Sequence, residues 1–105
     1  MTRRRLPDRR TNEALTFDHA GVECHTSVGR FEDGSPAEIF LNAGKPGSAA
    51  DVLAHDAAVA VSIALQYGVP ANEIYDALTK LHDGSPASPL GVALKASIRP
   101  HLIEE

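Results

Sequence analysis

The sequence predicts an α+β domain in the order β-β-β-α-α-α. Three observations carry that prediction. Apolar residues recur at every second position on both sides of Ala20-Gly21. The same alternation resumes after Asp33-Gly34. From residue 48 onward the apolar spacing changes to that of a helix. Three antiparallel strands with one apolar face need a cover, and the downstream helices are placed to supply it.

The first strand is expected over residues 14–19, where Leu15, Phe17 and His19 alternate with Thr16 and Asp18. The second is expected over 22–30, with Val22, Cys24, Thr26 and Val28 on one side and Glu23, His25 and Ser27 on the other. If Ala20 and Gly21 form the turn, Phe17 lies opposite Cys24 and Leu15 opposite Thr26. Those pairs then face the core, with Thr16, Asp18, Glu23 and His25 toward water. A third strand over 36–42 follows, with Ala37, Ile39 and Leu41 inward.

The first helix is expected over 48–67. Ser48 with Asp51 three residues later fits a helix start, Asp standing in for the Glu of a capping box. Val52, Asp56, Val59, Ile63 and Tyr67 form its stripe, flanked by Leu53, Ala60 and Ala64. The small residues of the alanine-rich stretch allow a sheet, a helix or a second copy to come close. Gly68 ends this helix and Pro70 opens the next, expected over 70–82 with Ile74, Ala77, Leu78 and Leu81 as its stripe. Gly84 closes it. A last helix over 89–98 runs from Ser88-Pro89 through Leu90, Leu94 and Ile98 and is stopped by Pro100. Asp-Gly-Ser-Pro-Ala occurs at 33–37 and again at 83–87. The flanks differ, so the two copies read as independent turns of similar chemistry.

At 105 residues the chain is one domain by length. It has no Trp and five aromatic residues, so aliphatic side chains must fill its core. Its one cysteine, Cys24, can close no intramolecular disulfide and build no cysteine zinc site; it reads as a core thiol. No apolar run approaches a membrane span and nothing resembles a signal peptide, so a cytoplasmic protein is expected. Residues 1–13 read as a basic, flexible arm, with Arg3, Arg4, Arg5, Arg9 and Arg10 against one Asp in the first ten. Residues 14–105 form an acidic body. A phosphate-contacting arm is one use of those arginines. The acidic body argues against a continuous nucleic-acid face.

The best local candidate for binding is Gly44-Lys45-Pro46-Gly47-Ser48, at the start of the long helix. Free N–H groups there favour anions, two glycines permit close approach, Lys45 adds charge and Ser48 a hydroxyl. Arg30 is a candidate assistant. The spacing is not that of a Walker A loop, and the simpler role is a strand-to-helix connection capped by Ser48. The five histidines suggest no metal site. His19 and His25 fall on opposite faces of the hairpin, and His55 sits beside Asp56 without an i, i+4 partner. His82 and His101 lie near element ends. Asp56 falls on the expected apolar stripe and would need a partner there. Ser48 and His55 are two helical turns apart, too far for a nucleophile and its base, and no catalytic residues are assigned.

The runs Leu6-Pro7-Asp8-Arg9-Arg10, Val28-Gly29-Arg30-Phe31, Pro36-Ala37-Glu38-Ile39-Phe40, Gly44-Lys45-Pro46-Gly47-Ser48 and Asp83-Gly84-Ser85-Pro86 together resemble the TSCPD domain. That domain occurs near the C-terminus of adenosylcobalamin-dependent ribonucleotide reductases and as small stand-alone proteins. The resemblance spans about residues 6–98. It implies a link to ribonucleotide reduction and deoxyribonucleotide supply. It does not transfer the activity, because such reductases use several cysteines and a large cobalamin-holding barrel. The cysteine-bearing signature that names the domain is absent, and no cofactor is expected to bind here. The first expectation is a non-catalytic accessory module that binds itself as a homodimer, a reductase partner, or a nucleotide or phosphate. Two alternatives stay open: a nucleic-acid-associated protein using the arginine arm, and a small nucleotide-acting enzyme.

Overall fold

The computed structural model describes residues 2–8 and 12–98. Three strands, β1 (Asn12–His19), β2 (Val22–Arg30) and β3 (Pro36–Ala43), form an antiparallel sheet in the order β1-β2-β3. Three helices follow: α1 (Ala49–Gln66), α2 (Ala71–Ala77) and α3 (Pro89–Ile98). The expected α+β architecture and element order are those of the structure. β1 starts two residues earlier than expected, so Asn12 and Glu13 belong to the sheet rather than to the arm.

The hairpin register follows from its turn. Ala20 and Gly21 both take positive φ, 53° and 83°, as a two-residue turn matched to strand twist requires. Phe17 accordingly pairs with Cys24 and Leu15 with Thr26. On β3, Ala37, Ile39 and Leu41 point inward and are buried, while Phe40 points outward. The core joins Val28, Ile39 and Leu41 to Ala58, Val61 and Leu65 of α1 and to Ala93 and Leu94 of α3. α1 lies along β3, α3 crosses β2 and β3, and α2 packs on α3.

Two expectations are corrected. The inward face of α1 is not the stripe of Val52, Asp56, Val59, Ile63 and Tyr67. Those residues are exposed, and Asp51, Ala58, Val61, Leu65 and Gln66 are buried. The helix is thus turned by about one residue, roughly 100°. The cause is the strand edge it covers. β3 has a neighbour on one side alone, so its outward backbone groups need partners. The Ser62 hydroxyl accepts from the Ile39 N–H at 2.8 Å. Gln66 Nε2 donates to the Ala37 carbonyl at 3.0 Å, and Asp51 Oδ1 accepts from the Ala43 N–H at 3.0 Å. Small side chains at Ala54 and Ala58 let the helix come close enough for these bonds. The inward stripe therefore combines the apolar Ala58, Val61 and Leu65 with the hydrogen-bonding Asp51, Ser62 and Gln66. By length and composition alone α1 could cross a membrane, against the expectation that no apolar run approaches a span; 28% of it is buried inside the domain.

The second correction concerns α2, which ends at Ala77 rather than at 82. The second Asp-Gly-Ser-Pro-Ala copy closes a hairpin-like loop through a bridge between Lys80 and Pro86, and that loop consumes the residues beyond 78. Both copies share one geometry. Ser35 Oγ donates to Asp33 Oδ1 at 2.6 Å, as Ser85 Oγ does to Asp83 Oδ1. Gly34 and Gly84 both have φ of 89°. The expectation that they are separate turns with like chemistry holds; that the second leads directly out of a helix does not. The Lys80 ammonium caps the end of α2 by donating to the carbonyls of Tyr75 and Leu78.

Candidate functional site

The loop at 44–48 connects β3 to α1. Gly44 and Gly47 take positive φ, 70° and 79°, which lets the chain curl back over the helix start. Ser48 is the N-cap: its side chain accepts from the Asp51 N–H at 3.3 Å. The Asp51 carboxylate does not reach back to Ser48 as a capping box would. It accepts from the N–H of Gly47 at 3.0 Å and of Ala43 at 3.0 Å, and from Asn42 Nδ2 at 3.2 Å. These bonds, the Gly47 amide foremost and Ala43 next, hold its carboxyl below the usual carboxylate range. Two more loop amides, those of Gly44 and Ser48, also have internal acceptors. Gly44 N–H donates to the Glu23 carbonyl at 2.9 Å, and Ser48 N–H to the Lys45 carbonyl at 3.0 Å. The loop does gather donors around an anion, and that anion is the chain's own Asp51. Lys45 stands exposed beside it.

Arg30 is not brought to this loop. β2 runs between them: Cys24 pairs with Ala43 at one end, whereas Arg30 pairs with Pro36 at the other. Each nitrogen of its guanidinium is engaged, Nε donating to Glu13 Oε1 at 2.8 Å, Nη1 to the Gly34 carbonyl at 2.9 Å and Nη2 to the Ser97 carbonyl at 3.0 Å. With a side chain 10% exposed, it ties β1, the β2–β3 turn and α3 together.

Two of the five arm arginines are docked on the body. Arg3 Nε donates to Gln66 Oε1 at 2.6 Å, and Arg4 N–H to the Gln66 carbonyl at 2.6 Å. Arg4 also stacks 3.8 Å over the Phe31 ring and lies 3.5 Å from Asp33. Arg5 makes a loose, exposed pair with Asp8 at 3.9 Å. Arg9 and Arg10 lie outside the described residues, as do Pro100 and His101.

The other polar candidates disperse. His19 Nε2 lies 3.2 Å from the Ala87 carbonyl, and His25 Nδ1 lies 3.1 Å from Thr16 Oγ1 on the opposite face. Among the described residues, no three His, Cys, Asp or Glu side chains gather as a metal would require. Asp56 is exposed, so it needs no buried partner. Cys24 is 0% exposed, and burial pushes its thiol up from its ordinary value.

What sequence reasoning missed is an apolar face. Turning α1 leaves Val52, Val59 and Ile63 on the surface, as Phe40 of β3 is, each between 39% and 48% exposed. Between α1 and β3 this face forms a groove of about 190 Å³, whose walls include Phe40, Val59 and Ile63. Arg3, Glu38 and His55 stand at its rim. The available signal was Phe40, a large aromatic at an outward position of a strand.

The TSCPD domain model matches residues 2–99. The chain is 38% identical over 77 residues to the vitamin B12-dependent ribonucleotide reductase of Bradyrhizobium diazoefficiens, covering 73% of the chain and 6% of that protein. It is 43% identical over 68 residues to the enzyme of the same name from Rhodopirellula baltica, covering 65% and 6%. The corresponding Streptomyces coelicolor protein is 35% identical over 68 residues, covering 65% and 7%. The chain thus spans 6–7% of these relatives' length. No solved structure matches it.

Proposed function

This chain belongs to the TSCPD domain family, and from that premise we propose that it serves ribonucleotide reduction as a non-catalytic module. It does so by docking on a vitamin B12-dependent reductase polypeptide through the α1–β3 face. The observation that carries this reading is the exposed apolar set of Phe40, Val52, Val59 and Ile63 on a domain whose own core is already closed. Chemistry of its own has little support. Dithiol exchange needs two thiols, and the one here is buried. The reading places the protein in the cytoplasm, with its reductase.

A nucleotide or phosphate at Gly44–Ser48 is the competing proposal. It would have to rely on Lys45, because the amides of Gly44, Gly47 and Ser48 already have acceptors. Calorimetry decides between them. The docking reading expects saturable binding of the purified chain to a reductase polypeptide lacking its own TSCPD module. Val59→Asp should weaken it at least about tenfold by placing a charge in the apolar centre. Equal binding by Val59→Asp, or heat from ATP, dATP or pyrophosphate and none from the reductase, would reverse the order of the two.

A further inference from the structure

The two edges of the sheet are treated differently. The β3 edge is covered by Asp51, Ser62 and Gln66 of α1. Among the described residues the β1 edge has no such cover. Because the turn has two residues, His19 and Val22 form the first hydrogen-bonded pair, and Phe17, Leu15 and Glu13 also direct their backbone groups toward β2. Ala14, Thr16 and Asp18 therefore direct theirs away from the sheet, where, among the described residues, no backbone group meets them. β1 runs for eight residues with no Pro, no Lys and an unbroken register. Natural sheets protect such an edge or pair it. Among the described residues no helix packs closely on β1 either, and Leu15 and Phe17 are half-buried.

We propose that β1 pairs antiparallel with β1 of a second copy about a two-fold axis through Thr16, making a continuous six-stranded sheet. The strand is complementary to itself in that register. Thr16 meets Thr16 of the second copy, and Ala14 meets Asp18 of the second copy; both are positions with outward backbone groups. On the inner face Leu15 lies against Phe17 of the second copy, and Glu13 against His19 of the second copy, each pair occurring twice by symmetry. Glu13 already gives one oxygen to Arg30, and its side chain is 46% exposed. Neighbouring registers lose this match. An axis through Leu15 sets Glu13 against Phe17, and one through Phe17 sets Leu15 against His19. The surface is distinct from the α1–β3 face, so a dimer of this kind leaves that face open.

Sedimentation of the full chain with two variants tests the proposal. The wild type should be a dimer at micromolar concentration. Thr16→Pro removes an outward N–H that the monomer does not use, so each chain should still fold while the dissociation constant rises at least about tenfold. Thr16→Cys gives a readout independent of that variant's folding. In a hydrogen-bonded antiparallel pair the Cα atoms lie about 5.5 Å apart, within disulfide reach, so mild oxidation should cross-link it. Ala14→Cys alone should not cross-link, since Asp18 faces it. A monomeric wild type, a dimer untouched by a folded Thr16→Pro, or cross-linking of Ala14→Cys as readily as Thr16→Cys overturns the proposal. A dimer lost in Val59→Asp but kept in Thr16→Pro moves the interface to α1 and overturns it equally.

Discussion

Replacing Ser62 by Ala tests why α1 faces the way it does. The Ser62 hydroxyl is the acceptor for the Ile39 N–H at 2.8 Å, and Ile39 is buried. The same oxygen lies 2.8 Å from the Ala58 carbonyl and 3.1 Å from the Ile39 carbonyl, which share its proton. Removing the hydroxyl leaves a buried amide unpaired, a cost of about 1–3 kcal/mol. Ala is the better helix former, which returns about 0.5 kcal/mol. A net loss of about 1–2 kcal/mol in a domain of this size lowers Tm by roughly 4–10 °C. Thermal unfolding followed by circular dichroism gives the shift, and hydrogen exchange gives its cause: the Ile39 amide should lose protection ahead of its strand neighbours. Ala60→Ser, on the exposed side of the same helix, should change Tm by no more than a few degrees. An unchanged Tm and an unchanged Ile39 exchange rate in Ser62→Ala would refute edge covering as the determinant of the helix face.

Three further outcomes are expected. Val61→Asp, burying an unpaired carboxylate in the core, should prevent cooperative folding, whereas Val59→Asp two positions earlier should shift stability by less than about 0.5 kcal/mol; denaturant titration of both variants separates the buried face from the exposed one. Acid should destabilise the fold. The carboxyls of Asp51, Asp33 and Asp83 are held low, by the Gly47 amide and by the hydroxyls of Ser35 and Ser85 respectively. Their contribution is complete above the ordinary Asp value near 3.9 and is lost as pH falls through the lower folded values. Tm should be level from pH 7 to about 4.5 and fall below it; a Tm level to pH 3 would contradict this. Cys24 should resist a thiol reagent at neutral pH until the chain unfolds, and labelling within seconds in the native state would show that the thiol is not core.

The hairpin was legible because two independent signals agree there. Period-two alternation sets the faces, and the two-residue turn at Ala20-Gly21 sets the register, so both pairings follow. β3 was legible for the same reason. The face of α1 was not, because hydropathy periodicity assumes that the inward stripe is the apolar one. Here the inward stripe carries Asp51, Ser62 and Gln66, and a single sequence does not announce that a strand edge will need them. The end of α2 was misplaced because Leu81 continues its apolar spacing into residues that the second Asp-Gly-Ser-Pro-Ala loop takes for its own bridge. The Ser48 cap at the start of α1 was legible in its spacing to Asp51. Asp51 was read as a capping-box partner, and the one-residue difference in what it accepts from, Gly47 rather than Ser48, decides which of the loop amides have acceptors. Arg30 looked available from composition, yet its three partners come from three segments far apart in sequence. The apolar face is hidden in the sequence because hydropathy periodicity sends its helical members, Val52, Val59 and Ile63, to the core, leaving Phe40 as its one outward signal.

The central claim is that this TSCPD domain acts by docking rather than by chemistry. Its most direct measurement is titration of the full chain into a vitamin B12-dependent ribonucleotide reductase polypeptide lacking that module, with wild type and Val59→Asp side by side. The account predicts saturable binding by the wild type and at least about a tenfold loss in Val59→Asp, with both chains equally folded by circular dichroism. Binding that is absent at tens of micromolar, or identical for the two chains, would contradict it.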